Sequence, residues 1–379
     1  MDAPGGEDEA PLVVSVPVPE VDDGSPSEVS PPKNHVRDVH ILSFAFLLIF
    51  SAYGAAQNLE STVNTENDLG TTSLGILYIS FTVFSFVASP MVRFLGSKNA
   101  LVLGTSGYLL FIASNLKPSW YTMVPASLYL GYTASIIWVG QGTYLTSAAR
   151  SHARDSHLHE ATVIGNFNGE FWAMFASTQV IGNLVSLALL GGGKANQVES
   201  IVLLDEGDIW SEFTKHIIRP ALGVSGVGGA MAIFGFFDAL CSLVAGQFTS
   251  GISSITLIMS GGAFLQIFVL LWLLLKYSLT SGVLGYVYPL LMAAIWGIGD
   301  GVFNTQLNAL LGMLFRHHTE AAFAQLKVWQ SASTALVFFL SPHVTFQAMS
   351  VLLVIVLLVS MLGFLLLTLH VENAFGHGH

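Results

Sequence analysis

Asp300 sits inside a long apolar run, within Gly299-Asp300-Gly301, and Asn304 and Asn308 follow it at intervals of four. On a helix these three side chains share one face. A carboxylate inside a membrane is costly and marks ion or proton chemistry by default. The functional reading of this stripe is an ion- or proton-coupling carboxylate. The competing reading is structural, with Asp300 tying two helices together by hydrogen bonds. Lys327 lies six residues into the uncharged part of its own run. It either snorkels to the cytoplasmic interface or offsets its desolvation by pairing with Asp300 or Glu320. The Lys327–Asp300 charge pair is the expectation carried forward. Glu170 and Asp238 are two further acids in apolar surroundings. Glu170, near an interface, reads as solvated or capping. Asp238, after Gly235-Phe-Phe, reads as a packing hydrogen bond or a cavity-facing group.

Other patterns point to no chemistry. Gly223, Gly226, Gly228, Gly229 and Gly235 follow no strand, so a phosphate loop is a poor reading and close helix packing a better one. Cys241 is the sole cysteine, which rules out an intrachain disulfide and a cysteine-based metal site. His377 and His379 in the tail make at most a weak metal site, and His317-His318 beside Arg316 only adds positive charge to a loop. No nucleophile–base pair with a third member is present, so the chain reads as non-enzymatic. No metal or cofactor is expected. The absence of a basic cluster argues against a nucleic-acid partner.

The elements that hold these residues are membrane helices, which makes the lipid bilayer the first partner. Of 379 residues, 53% are hydrophobic and 10% charged, with a mean hydropathy of +0.65. A soluble domain carries about 25% charged residues. The net charge is −11, but residues 1–32 hold eight acids and no Lys or Arg, which leaves −3 for the rest. That tail also has seven prolines, so it is predicted to be disordered. A helix needs about 20 apolar residues to cross the hydrocarbon core. Ten such runs occur, at roughly 41–58, 72–92, 99–116, 119–147, 165–191, 221–246, 254–276, 283–314, 321–340 and 345–370. Ser341-Pro342 divides the last two, because proline disfavours helix at the residue before it. Lys33, Arg37, Arg93, Lys98, Arg150, Arg154 and Arg316 fall on one side of these runs. The short loops of the other side hold only Lys117 and Lys276. The bias puts both termini in the cytoplasm.

The runs repeat. Gly96 recurs as Gly251 at an offset of 155, Phe167, Ser177 and Thr178 as Phe323, Ser333 and Thr334 at 156, and Gly140 and Gly142 as Gly299 and Gly301 at 159. Two similar helical halves are an architecture of secondary transporters. Gln141 is then the repeat equivalent of Asp300. The repeat breaks in the centre. The partner of the last run, and that of the first, both map onto Lys194–Lys215, which holds Glu199, Asp205, Glu206, Asp208 and Glu212 and cannot span a bilayer. A six-plus-six parent shortened by its sixth and seventh spans, as in a splice form, fits this pattern. An ordinary loop in a ten-span fold is the alternative. The expected organisation is a tail at 1–36, a first half at 37–191, a polar connection at 192–220, a second half at 221–371 and a short cytoplasmic tail at 372–379.

Four segments carry a resemblance. They are Phe50-Ser-Ala-Tyr-Gly54 with Gln57, Trp138-Val-Gly-Gln-Gly-Thr-Tyr-Leu-Thr146, Gly297-Ile-Gly-Asp-Gly-Val-Phe-Asn304 with Gln306, and Ala322-Phe-Ala-Gln-Leu-Lys-Val-Trp-Gln-Ser331. In these the chain resembles the unc-ninety-three-like family, a branch of the major facilitator superfamily, over about 37–191 and 209–373. The resemblance implies an all-α, polytopic, two-half bundle of facilitator type, with twelve helices in the family and about ten here. It implies a regulatory subunit of a potassium channel, or a trafficking partner of a receptor or other membrane protein, in the plasma membrane or an endomembrane. A secondary carrier with Asp300, Gln141, Asn304 and Asn308 in its path is the alternative. The superfamily's charged loop between its second and third spans is matched by Arg93, Gly96 and Lys98. The usual acidic partner is missing here, a gating-loop remnant that leans toward a non-transporting role.

Overall fold

A computed structural model describes residues 34–63, 69–190, 218–276, 283–340 and 343–376. Ten helices account for nearly all of them. In chain order they are α1 (His35–Val63), α2 (Leu69–Leu95), α3 (Ser97–Ser114), α4 (Trp120–Asp155), α5 (Glu160–Leu190), α6 (Arg219–Gln247), α7 (Ile252–Lys276), α8 (Val283–Leu314), α9 (Thr319–Leu340) and α10 (Phe346–Gly376). Each falls on one expected apolar run. Lipid leaves a backbone no partner but itself, so an apolar run of this length is helix and little else. Six carry a stretch long and apolar enough to cross a membrane by length and composition, in α1, α2, α4, α6, α7 and α10. In α3, α5 and α9 the polar residues Lys98-Asn99, Asn166 to Glu170, and Lys327 dilute the run.

Boundaries follow local chemistry. α4 begins where Ser119 accepts from the Thr122 amide and Thr122 Oγ1 accepts from the Ser119 amide, a capping box. Its 36 residues reach about 54 Å at 1.5 Å each, well past the hydrocarbon core, and its last turns carry Arg150 and Arg154 beyond it. Gly96 parts α2 from α3 with φ +76, a conformation that glycine adopts without steric cost. Two expected borders move. α6 starts at Arg219, inside the expected polar connection, and α10 runs to Gly376, past the border expected at 371. Gly376 is a late stop because His370, Val371, Glu372 and Asn373 are all compatible with helix once the span is nucleated. The stretch 192–215, the break at Ser341-Pro342, and His377 and His379 lie outside the described residues.

Packing follows the repeat. By the sequence offsets α2 pairs with α6, α3 with α7, α4 with α8 and α5 with α9. α5 packs on α6 while α9 packs on α2, one contact seen from each half. The α2–α4 contact matches α6–α8, α3–α4 matches α7–α8, and α5–α8 matches α9–α4. Among the described helices, α1 and α10 have no mate. α1 lies mainly on α5, and α10 mainly on α7.

The largest core cluster draws on α1 to α5 together with Ile255 of α7 and Ala309 and Leu310 of α8, and between α1, α4 and α5 it is aromatic. Phe46 meets Phe171 edge-on at 5.1 Å, Phe50 meets Phe175 at 5.0 Å, and Trp138 stacks on Trp172 at 5.9 Å. Such pairs add about 0.5–1.5 kcal/mol each beyond their buried area.

Candidate functional site

The acids of the second half meet between α6 and α8. Two glycines make this possible. Gly297 and Gly301 lie one turn apart on α8 and both face α6. A β-carbon on Gly301 would come within 2.5 Å of the Asp238 backbone oxygen, and one on Gly297 would overlap the Phe234 carbonyl. The helices therefore approach closely enough for the Asp238 and Asp300 carboxyl groups to be electrostatic neighbours across the α6–α8 contact. Ser242 Oγ donates to Asp238 Oδ1 at 3.2 Å, and Asn304 Nδ2 donates to Asp300 Oδ2 at 3.1 Å. Asn308 Nδ2 turns back to the Asn304 carbonyl at 2.7 Å, so the three polar residues do stand in file on one face. Between Asn304 and Asn308 in the chain, Gln306 is wholly buried and reaches across to α6, donating to the Ala245 carbonyl and to Thr249 Oγ1, each at 2.8 Å. Ser242 and Asn304 thus each steady one of the two carboxyl groups by a donated hydrogen bond.

Gln141 is not brought to this pair. It is buried in α4, where its neighbours Gly140 and Gly142 admit Ala100 of α3 and the Phe323 ring of α9, and its Nε2 finds no partner among the described residues.

Lys327 has different partners from the expected one. It is buried, donates to Gln330 Oε1 at 2.8 Å, and holds its Nζ 4.5 Å above the Trp138 ring. The correction to the Lys327–Asp300 pair has a geometric cause. Lys327 points from α9 into the first half, toward α4, while Asp300 faces α6 within the second half. Neither does Lys327 snorkel, since it is only 4% exposed. Glu170 stands opposite His40 of α1, with Oε2 3.2 Å from Nε2, half-exposed beside a cavity of about 610 Å³ between α1, α5 and α6. Arg93 and Lys98 are both exposed around Gly96.

A further constellation had no sequence motif to announce it. Arg150, near the end of α4, donates through Nε to Glu160 at 3.2 Å, through one terminal nitrogen to the Arg316 carbonyl at 3.1 Å, and through the other to the Gly312 carbonyl. Arg316 returns to the second oxygen of Glu160 at 3.2 Å. This joins α4 and α5 to the α8–α9 connection. The signal available in sequence was Arg150 and Glu160 flanking a short turn opposite Arg316. Nearby, His35 Nε2 meets Asp155 Oδ2 at 3.0 Å and fixes the start of α1.

The sequence profile described as "Ion channel regulatory protein UNC-93" matches residues 61–218 and 285–365. "UNC93-like protein 3" of Arabidopsis thaliana is 54% identical over 417 residues, covering 92% of this chain and 88% of that one. "Protein unc-93 homolog A" of Xenopus laevis is 26% identical over 89% of this chain and 94% of its own. "Putative potassium channel regulatory protein unc-93" of Caenorhabditis elegans is 27% identical over 87% of this chain and 60% of its own. Among solved structures, a bacterial homologue of the iron transporter ferroportin in its outward-facing state aligns with a TM-score of 0.54 at 13% identity. It covers 88% of this chain and 98% of that one, a likeness of fold alone. On the strength of the profile match and the plant relative, this multi-pass membrane protein belongs to the UNC-93 family.

Proposed function

We propose that this protein is a transporter-shaped partner subunit that regulates potassium transport, or the trafficking of a channel or receptor, in the membrane it occupies. One observation carries the reading. The chain is similar along 87% of its length to a nematode protein named for potassium-channel regulation. The helical bundle supports it. A carrier must rock one half against the other around a fixed site, and α1 and α10 lack the mates that a complete pair of halves supplies. The alignment with the plant relative runs over 417 positions. That is about 68 more than the 92% of 379 residues it covers here, enough for two spans of about 20 residues and their connections. We place the missing length at 192–215. Both termini face the cytoplasm in this reading, and the role is regulatory or transport-related, not catalytic.

A second reading, a cation-coupled carrier, is favoured by one arrangement, the Asp238–Asp300 pair with Asn304 and Ser242. The Lys327–Trp138 contact and the cavity beside His40 and Glu170 then flank the path.

The test has two arms. Potassium conductance is recorded in cells with and without the chain, and potassium and proton flux are measured separately in liposomes holding the purified, monodisperse protein. Changed conductance in cells with silent liposomes supports the partner reading. Liposome flux abolished by Asp300→Asn replaces it with the carrier.

A further inference from the structure

We propose that the pocket between Arg150, Arg154 and Arg316 binds a phosphate-bearing anion that bridges the two halves. The cavity measures about 440 Å³. Three guanidinium groups line it against one carboxylate, Glu160, which Arg150 and Arg316 already share at 3.2 Å each. Arg150 already commits each of its three nitrogens to Glu160 and two backbone carbonyls. Arg154 is exposed and meets no acid among the described residues, and the Arg316 side chain is 64% exposed. The pocket thus carries a formal charge of +2 with two guanidinium groups whose donors still have capacity, the balance a phosphate monoester supplies. The planar fork of arginine matches phosphate oxygens in pairs. Basic pockets between membrane helices at the cytoplasmic face are a recurring setting for anionic headgroups.

Position gives the site its consequence. Arg154 ends α4 in the first half, and Arg316 stands between α8 and α9 in the second. An anion held by both closes the same seam that Arg150 closes from beneath. The ligand is either the headgroup of an anionic lipid or a free phosphate compound. The site needs neither the partner reading nor the carrier reading to hold.

The experiment uses the full chain in nanodiscs of phosphatidylcholine alone. Binding is measured for two probes separately, inorganic phosphate and a water-soluble short-chain phosphatidylinositol bisphosphate. Wild type is expected to bind at least one. Arg154→Gln and Arg316→Gln are each expected to weaken it by about tenfold, the worth of one charge-assisted contact. Lys117→Gln, before the opposite end of α4 from Arg154, leaves it unchanged. Competition by inorganic phosphate at concentrations similar to the lipid identifies a free anion, and binding of the lipid alone identifies a headgroup. Arg154 is exposed, so its variant keeps the wild-type unfolding temperature and remains readable. No binding of either probe overturns the proposal. So does binding that both arginine variants keep, or that Lys117→Gln weakens equally.

Discussion

Lys327 Nζ stands 4.5 Å from the centre of the Trp138 ring, reaching from α9 in the second half to α4 in the first. Its one hydrogen-bond acceptor is the neutral Gln330. An ammonium held this way gains about 2 kcal/mol from the indole face, while its burial without a carboxylate costs several. Lys327→Met, which keeps the volume, should therefore melt at or above the wild-type temperature in detergent. A loss of more than about 2 kcal/mol would show that the cation dominates the contact.

The α5–α6 contact is built on glycine. A β-carbon on Gly246 would fall 2.6 Å from the Gly165 carbonyl oxygen, whereas one on Gly229 meets nothing within 4 Å. Gly246→Ala is expected to cost about 1–3 kcal/mol by overpacking. Gly229→Ala should gain about 0.5–1 kcal/mol from helix propensity. Thermal unfolding of the two variants side by side checks the sign of each.

Arg150 serves three acceptors with one planar group, which lysine cannot do. Arg150→Lys is expected to lose about 2–4 kcal/mol through its missing charge-assisted bonds. Arg154→Lys, a change at an exposed position, should leave unfolding untouched. Equal melting of wild type and Arg150→Lys would mean that the seam between the halves does not depend on this group.

Asp300→Asn retains an oxygen to accept from Asn304, and Asp238→Asn retains one for Ser242. Both variants should fold and remain monodisperse. In the partner reading their effect on cellular potassium conductance is small, and in the carrier reading either one abolishes proton-linked flux. Liposome flux of the two variants, set beside the conductance record, separates the outcomes.

Cys241 is the only cysteine, so Cys241→Ser supplies a clean background for labelling. α4 joins Lys117 to Ser156 across about 54 Å, and both positions are exposed. With Ser156→Cys a membrane-impermeant thiol reagent should label only after permeabilisation, and with Lys117→Cys before it. The reverse order would invert the orientation read from the arginines.

The helices were legible because lipid permits an apolar run so few alternatives, and the file Asp300, Asn304, Asn308 was legible because it lies within one helix. What the sequence hid were contacts across long separations. Lys327 lies 189 positions from Trp138, and no spacing rule ties an α9 lysine to an α4 indole. Asp238 and Asp300 meet only because Gly297 and Gly301 let α6 and α8 close together. The glycines around Gly235 read as close helix packing without naming the helix on the other side. Arg150 read as one more positive charge in the orientation bias, since its three acceptors are a side chain and two carbonyls from different parts of the chain.

α10 lies mainly against α7, and only 6% of its apolar span is buried. That span, Gln347–His370, is 24 residues, or about 36 Å at 1.5 Å per residue. It exceeds a bilayer core of about 30 Å. With so little of it buried among the described residues, α10 meets that excess by tilting or by thickening the lipid beside it. The fit is better in a sterol-rich plasma membrane of about 32–33 Å than in an endoplasmic reticulum of about 27 Å. Bilayer thickness thus acts on this chain most directly through its last helix.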